Sequence, residues 1–172
     1  MAEIGSLRDC AADDIPRIPT QVQGLDPILA VGLPQGRATL ICGGPGTGKT
    51  ALAMEILCRG AADGDPGVFV SFEESAEDLA ANARTIGLDV DRLVDTGALK
   101  CVHAEVPVEA VRAGAFDIQG FIAILEGQTR AAGARRLVID AIDVLMRIFG
   151  DPEREREELH LLHRWLREHE LT

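Results

Sequence analysis

Cations are scarce in this sequence: 17 Lys and Arg stand against 28 Asp and Glu, for a formal net charge of −11, and no Lys/Arg run forms a basic patch. Such a chain repels a nucleic-acid backbone and an anionic lipid surface. Neither nucleic acid nor membrane is therefore an expected partner. No apolar run reaches spanning length and no secretory leader pattern is present, so the expected setting is cytoplasmic. Cys10, Cys42, Cys58 and Cys101 show no C-x-x-C spacing and no neighbouring histidine cluster; four reduced thiols are expected rather than a zinc site or a disulfide framework. Internal repeats and low-complexity tracts are absent too.

What remains is ordinary globular usage. With 172 residues, 47% of them hydrophobic and 26% charged, one domain can bury roughly 70% of the surface of its unfolded chain. Residues 1–19 are irregular, with Pro16 and Pro19 breaking any helix, and read as a lead-in; residues 20–172 read as the domain. A short apolar, helix-like piece in "GLDPILAVGLPQG" precedes an apolar run, Ala38 to Cys42, that has the pattern of a doubly buried strand. Ala51 to Arg59 repeats apolar residues at helical spacing, with Gly60 at the favoured C-cap place. Strands are expected at Val68–Phe72, Ala98–Ala104 and Arg136–Asp140. Helices are expected at Ala76–Thr85, opened by the Ser75/Asp78 pair, at Phe121–Ala132, and after Asp151 and Pro152, with Leu159, Leu162 and Leu166 on one face. Strand and helix alternate, so the fold class is α/β with a mainly parallel sheet flanked by helices.

Between the run Ala38–Cys42 and the helix sits "GGPGTGKT". Gly43, Gly48, Lys49 and Thr50 satisfy G-x-x-x-x-G-K-[ST], in the strand–turn–helix setting that this phosphate-cradling motif requires. Glycines let backbone N–H groups converge on a phosphate, and the helix N-terminus adds its positive end. Lys49 supplies a full charge between β- and γ-phosphates, and Thr50 a hydroxyl for Mg²⁺. The candidate nucleotide-binding residues are Gly44, Pro45, Gly46, Thr47, Gly48, Lys49, Thr50 and Ala51.

A Mg²⁺–nucleotide site also needs a strand-end carboxylate. Asp140 ends "RLVID" and is preferred over Asp143, three residues later. Hydrolysis further needs a group that orients or deprotonates water. Glu73 and Glu74 follow the second strand at the carboxyl edge of the sheet, where ligands of open α/β sheets bind; either is a candidate. The candidate catalytic set is Glu73, Glu74 and Lys49, and the candidate metal ligands are Thr50 and Asp140. His160 and His163 lie one turn apart without a third ligand, so a solvated helix face is the better reading. Trp165 reads as packing, "EREREE" as an exposed face, and Arg135 and Arg136 as solvated residues flanking a strand or as an interface pair.

Several segments, in order, resemble the KaiC family of RecA-like P-loop ATPases: "GLDPIL", "GLPQGRATLICGGPGTGKT", "PGVFVSFEES", "NAR", "GLDVDRLVDTGALK", "FDIQGF" and "RRLVID". The resemblance implies an ATPase domain that forms hexameric rings, binds ATP and Mg²⁺ at subunit interfaces, and meets signalling or clock proteins. It implies that Glu73 and Glu74 match the family's catalytic pair, Thr50 and Asp140 its magnesium positions, and Thr85 a polar position near the nucleotide. Pro27 stands where the family often has glutamate, Val31 where glycine is common, and Ala141 where serine often follows the aspartate. The family also continues past the last helix into a strand between the glycine-turn strand and the Asp140 strand. The chain is accordingly expected to be truncated before that central strand, with the basic residues offered to a neighbouring subunit also in the missing part. Poor nucleotide binding and poorer hydrolysis are expected of it in that form. Two alternatives stay open: a DNA-recombination ATPase of the wider RecA group, and a non-catalytic, nucleotide-gated assembly scaffold.

Overall fold

The structure, a computed structural model, describes residues 15–105, 117–149 and 151–172. Cys10 and most of the expected lead-in lie outside these residues. The described chain opens with β1 (Arg17–Ile18), paired antiparallel with β2 (Leu33–Pro34). The apolar piece between them is a series of turns, not the helix its composition suggested. Its anchor is Asp26, whose carboxylate accepts hydrogen bonds from the Thr20 N–H (2.8 Å), the Thr20 hydroxyl (2.7 Å) and the Gln21 N–H (2.9 Å). Burial pulls the Asp26 carboxyl upward, but these bonds and the charge of Arg136 outweigh it and hold the group below the usual carboxylate range. The piece cannot close as a regular helix because Ala30 and Val31 take positive φ, 49° and 81°.

Ala38–Cys42, expected as a strand, belongs to no ladder. Leu40 is 72% and Ile41 36% exposed. A parallel strand needs a hydrogen-bonding neighbour on at least one edge, and none of the described strands lies against this run.

The helix that follows, α1 (Lys49–Ala62), runs through Gly60 and ends on Asp63. Gly60 is therefore not the C-cap its position suggested. Its missing side chain serves packing instead: a Cβ there would lie 2.4 Å from the guanidinium carbon of Arg136.

Then come β3 (Gly67–Ser71), α2 (Ala76–Thr85), α3 (Val90–Asp95), β4 (Leu99–His103), α4 (Ile118–Ala132), β5 (Arg136–Asp140), α5 (Ile142–Phe149) and α6 (Pro152–Glu168). The three longer strands form a parallel sheet in the order β4-β3-β5, the α/β architecture expected. The Ser75 cap forms: its Oγ accepts from the Asp78 N–H at 3.1 Å and donates to the Asp78 carboxylate at 2.8 Å. Asp151 and Pro152 open α6 as expected. Asp117 caps α4 three residues earlier than apolar spacing indicated, while α3 and α5 were not expected.

Strand alternation divides the core between the two sheet faces. Phe69 joins Met54, Leu57, Leu79 and Leu93 from α1, α2 and α3. Its neighbours Val68 and Val70 join Phe121, Leu125, Leu145, Leu162 and Trp165 from α4, α5 and α6. Arg136, expected at the surface, is 3% exposed; it donates to the Ile56 carbonyl (3.3 Å) and to Asp65 (3.1 Å). Beyond β5 a single rung forms: the Leu137 N–H donates to the Thr172 carbonyl (2.9 Å), and the Thr172 N–H to the Arg135 carbonyl (3.1 Å).

Val31 is the test of the strained turn. Its side chain is 72% exposed, so removing it forfeits little packing, while positive φ disfavours a β-branched residue. Val31→Gly is expected to stabilise the chain by about 0.5–1 kcal/mol, read as a rise in the thermal midpoint.

Candidate active site

The glycine turn owes its shape to contacts that side chains would block. A Cβ on Gly43 would lie 2.5 Å from the Thr47 hydroxyl, and Gly46 and Gly48 take φ of 73° and 85°, where glycine is favoured. Gly48 caps α1 with no side-chain acceptor, and the first turn carries no acidic residue. The leading amides of α1 are thus free of an internal anion. Three donors converge on the Gly44 carbonyl: the Thr47 N–H (3.4 Å), the Thr47 hydroxyl (2.9 Å) and Lys49 Nζ (2.9 Å).

Strand ends bring the carboxylates to the same edge. The Thr50 hydroxyl donates to Asp140 Oδ2 at 2.7 Å across 90 residues of sequence, and the Phe72 N–H donates to the Asp140 carbonyl at 2.9 Å. Asp143, the weaker candidate, lies on α5 and pairs with Arg147. Ser71, buried at the end of β3, accepts from the N–H groups of Glu73 (3.3 Å) and Glu74 (2.9 Å).

The two glutamates part from there. Glu74 lines a cleft of about 440 Å³ together with Gly46, Gly48, Lys49, Thr50, Ala51 and Thr85, against a wall of Met54, Leu79, Asn82, Ala83 and Ile86. Glu73 is exposed and is not among the lining residues. Gly44, Pro45 and Thr47 belong to the turn itself and do not line that cleft. Two further side chains touch Glu74: Asn82 donates to its Oε2 at 2.7 Å, and His103 Nδ1 donates to its carbonyl at 2.9 Å. Neither was legible as a site residue, because each acts through a contact between elements rather than through spacing.

A hydroxyl and a carboxylate are hard oxygen donors that suit Mg²⁺. Among the described residues no group of three or more His, Cys, Asp or Glu could hold a metal ion, so an ion at Thr50 and Asp140 would draw its other ligands from phosphate and water, as Mg²⁺ commonly does. His160 and His163 line only a groove along α6 with Arg164, Arg167 and Glu168. Burial pushes the Cys58 thiol up to about 12, with Cys101 and Glu55 adding to it, and burial lifts Cys101 to about 11. Both are protonated at neutral pH, and both are free.

A phosphate loop opening α1 and an aspartate ending β5 at the carboxyl edge of a parallel sheet are the parts of a P-loop nucleotide site, and the chain is of the RecA-like class of P-loop ATPases. Within it the chain belongs to the KaiC family: the family model described as "ATPase: KaiC" matches residues 18–172. It is 38% identical over 158 residues to the circadian clock protein KaiC2 of Synechocystis sp., covering 91% of this chain and 28% of that protein. Identity is 37% over 150 residues to the circadian clock oscillator protein KaiC of Synechococcus elongatus, covering 86% and 29%. To the KaiC of Parathermosynechococcus lividus it is 34% over 173 residues, covering 99% and 31%. The chain thus spans less than a third of the length of these relatives. Among the described residues no helix is long and apolar enough to cross a membrane.

Gly43→Ala tests the turn. Its methyl group would drive the Thr47 hydroxyl from the Gly44 carbonyl, so ATP affinity measured by calorimetry is expected to fall at least about tenfold. The thermal midpoint should stay within a few degrees, because the turn is exposed.

Proposed function

We propose that the chain is an ATP-binding, Mg²⁺-dependent ATP-hydrolysing domain that acts in timing or signalling through ring assembly. The observation that carries this reading is the 2.7 Å bond between Thr50 and Asp140 beside a cleft that Glu74 lines. Lys49 and the amides of Gly46–Ala51 hold the phosphates, and Thr85 sits at the rim of the same cleft. Thr50 and Asp140 would hold Mg²⁺, which would supply positive charge to offset that of the phosphates. Of the two candidate bases Glu74 is chosen, since it alone of the pair lines the cleft; its carboxylate orients the attacking water and takes its proton. The role in timing is drawn from the relatives' names, and the ring from the family.

The domain boundaries belong to the same proposal: residues 1–19 lead in, and 20–172 form an ATPase domain whose sheet takes one more strand between Ala38–Cys42 and β5. The unpaired run at 38–42 and the single rung at Thr172 support that reading. ATP-dependent sizing of the chain beside a version extended past Thr172 tests it; assembly and phosphate release only in the extended form are expected.

Two substitution sets test the chemistry. In the version extended past Thr172, Glu74→Gln should lower the rate of phosphate release by about 100-fold or more while ATP still binds, and Glu73→Gln should lower it far less; equal losses would overturn the choice of Glu74. Thr50→Ala and Asp140→Asn should each weaken ATP binding in Mg²⁺ by about tenfold. In EDTA their affinities should match that of the unsubstituted chain.

A further inference from the structure

We infer that Asn82 is a positioning residue for Glu74, fixing one carboxylate oxygen so that the other is available to water; this rests on Glu74 being the base proposed above. A glutamate side chain turns about three bonds, and unrestrained it samples many poses. Here the main chain of Glu74 is held first, by Ser71 Oγ at its N–H (2.9 Å) and by His103 Nδ1 at its carbonyl (2.9 Å). Asn82 Nδ2 then takes Oε2 at 2.7 Å. Oε1 is left for the reaction.

Asn82 is itself well placed to do this. It lies on α2 beside Ala83 and three residues after Leu79, both buried, and its carbonyl accepts from the Thr85 hydroxyl at 2.6 Å. Its amide is a neutral donor. A lysine or arginine in its place would orient the carboxylate equally well but would also favour its ionised form and make it a weaker base. Neither Arg84 nor Lys49 pairs with Glu74: Arg84 binds Asp91 at 2.8 and 3.0 Å, and Lys49, which lines the same cleft, binds the Gly44 carbonyl. Among the described residues, the one side chain bonded to the Glu74 carboxylate therefore gives it direction through a neutral donor.

Steady-state ATP hydrolysis by Asn82→Ala and Asn82→Asp, each alone and combined with Glu74→Gln in the version extended past Thr172, tests the inference. Asn82→Ala should lower kcat by about 10–100-fold and leave KM within about twofold. Asn82→Asp keeps the size but sets a second carboxylate against Glu74, so the acid limb of the kcat/KM profile should move up by about one pH unit. With Glu74→Gln in place, Asn82→Ala should add nothing. Unchanged kcat in Asn82→Ala would overturn the inference alone, as would a raised kcat, which would make Asn82 a restraint. Independent, multiplying losses in the double variant would overturn it as well. Full activity of Glu74→Gln by itself would overturn the reading of Glu74 as base, and the role of Asn82 with it.

Discussion

The Arg136 guanidinium, enclosed beneath α1, sets how the phosphate-loop helix lies along the strand that carries Asp140. It fills the notch left by Gly60 and bonds to the Ile56 carbonyl and Asp65. A buried charge stripped of its partners costs about 3–5 kcal/mol, so this contact is difficult to slide or break. From Arg136 to Asp140 the strand climbs about 13 Å; from Gly60 back to Thr50 the helix spans about 15 Å. The two lengths nearly match. Pinning the far end therefore brings Thr50 to Asp140 at the near end, and the 2.7 Å bond there follows from register rather than chance.

Much of this was legible in the sequence because it is periodic or local. Phosphate-loop glycines, the Ser75 and Asp151 caps and the apolar runs of β3, β4 and β5 each declare themselves within a few residues. What escaped depends on partners far along the chain. Gly60 carries the spacing of a helix terminator, and only Arg136, 76 positions later, explains why the helix passes through it. Arg136 in turn resembles any solvated residue at the mouth of a strand until Asp65 is beside it. Ala38–Cys42 has strand composition, but pairing is a property of two segments, and the described residues supply only one. At the candidate site, Thr50, Asp140 and Lys49 were named from motif chemistry, and the contact between Thr50 and Asp140 was readable from it. The division between Glu73 and Glu74 was not, since adjacent residues of one turn differ only in where the chain aims them.

Several of the loop's donors have acceptors within the protein. The Gly44 carbonyl draws Lys49 and both polar groups of Thr47, and Asp140 draws the Thr50 hydroxyl. Where one of these groups meets phosphate or Mg²⁺, one hydrogen bond is exchanged for another, whereas the leading amides of α1 have no side-chain cap to give up. The net gain from each exchange is correspondingly modest. Glu74 differs from them: its main chain and one oxygen are fixed by Ser71, His103 and Asn82, none of which need move.

The open run at Leu40 and Ile41 and the little-paired outer edge of β5 have a practical meaning beyond the active site. Exposed strand edges recruit other strands, from whatever molecule offers them. At high concentration two copies could join through these edges into a particle that has nothing to do with a ring. Such adducts would grow with protein concentration and warming, and would ignore nucleotide. An ordered ring would form or dissolve with ATP, so the two kinds of oligomer answer to different variables and can be separated by them.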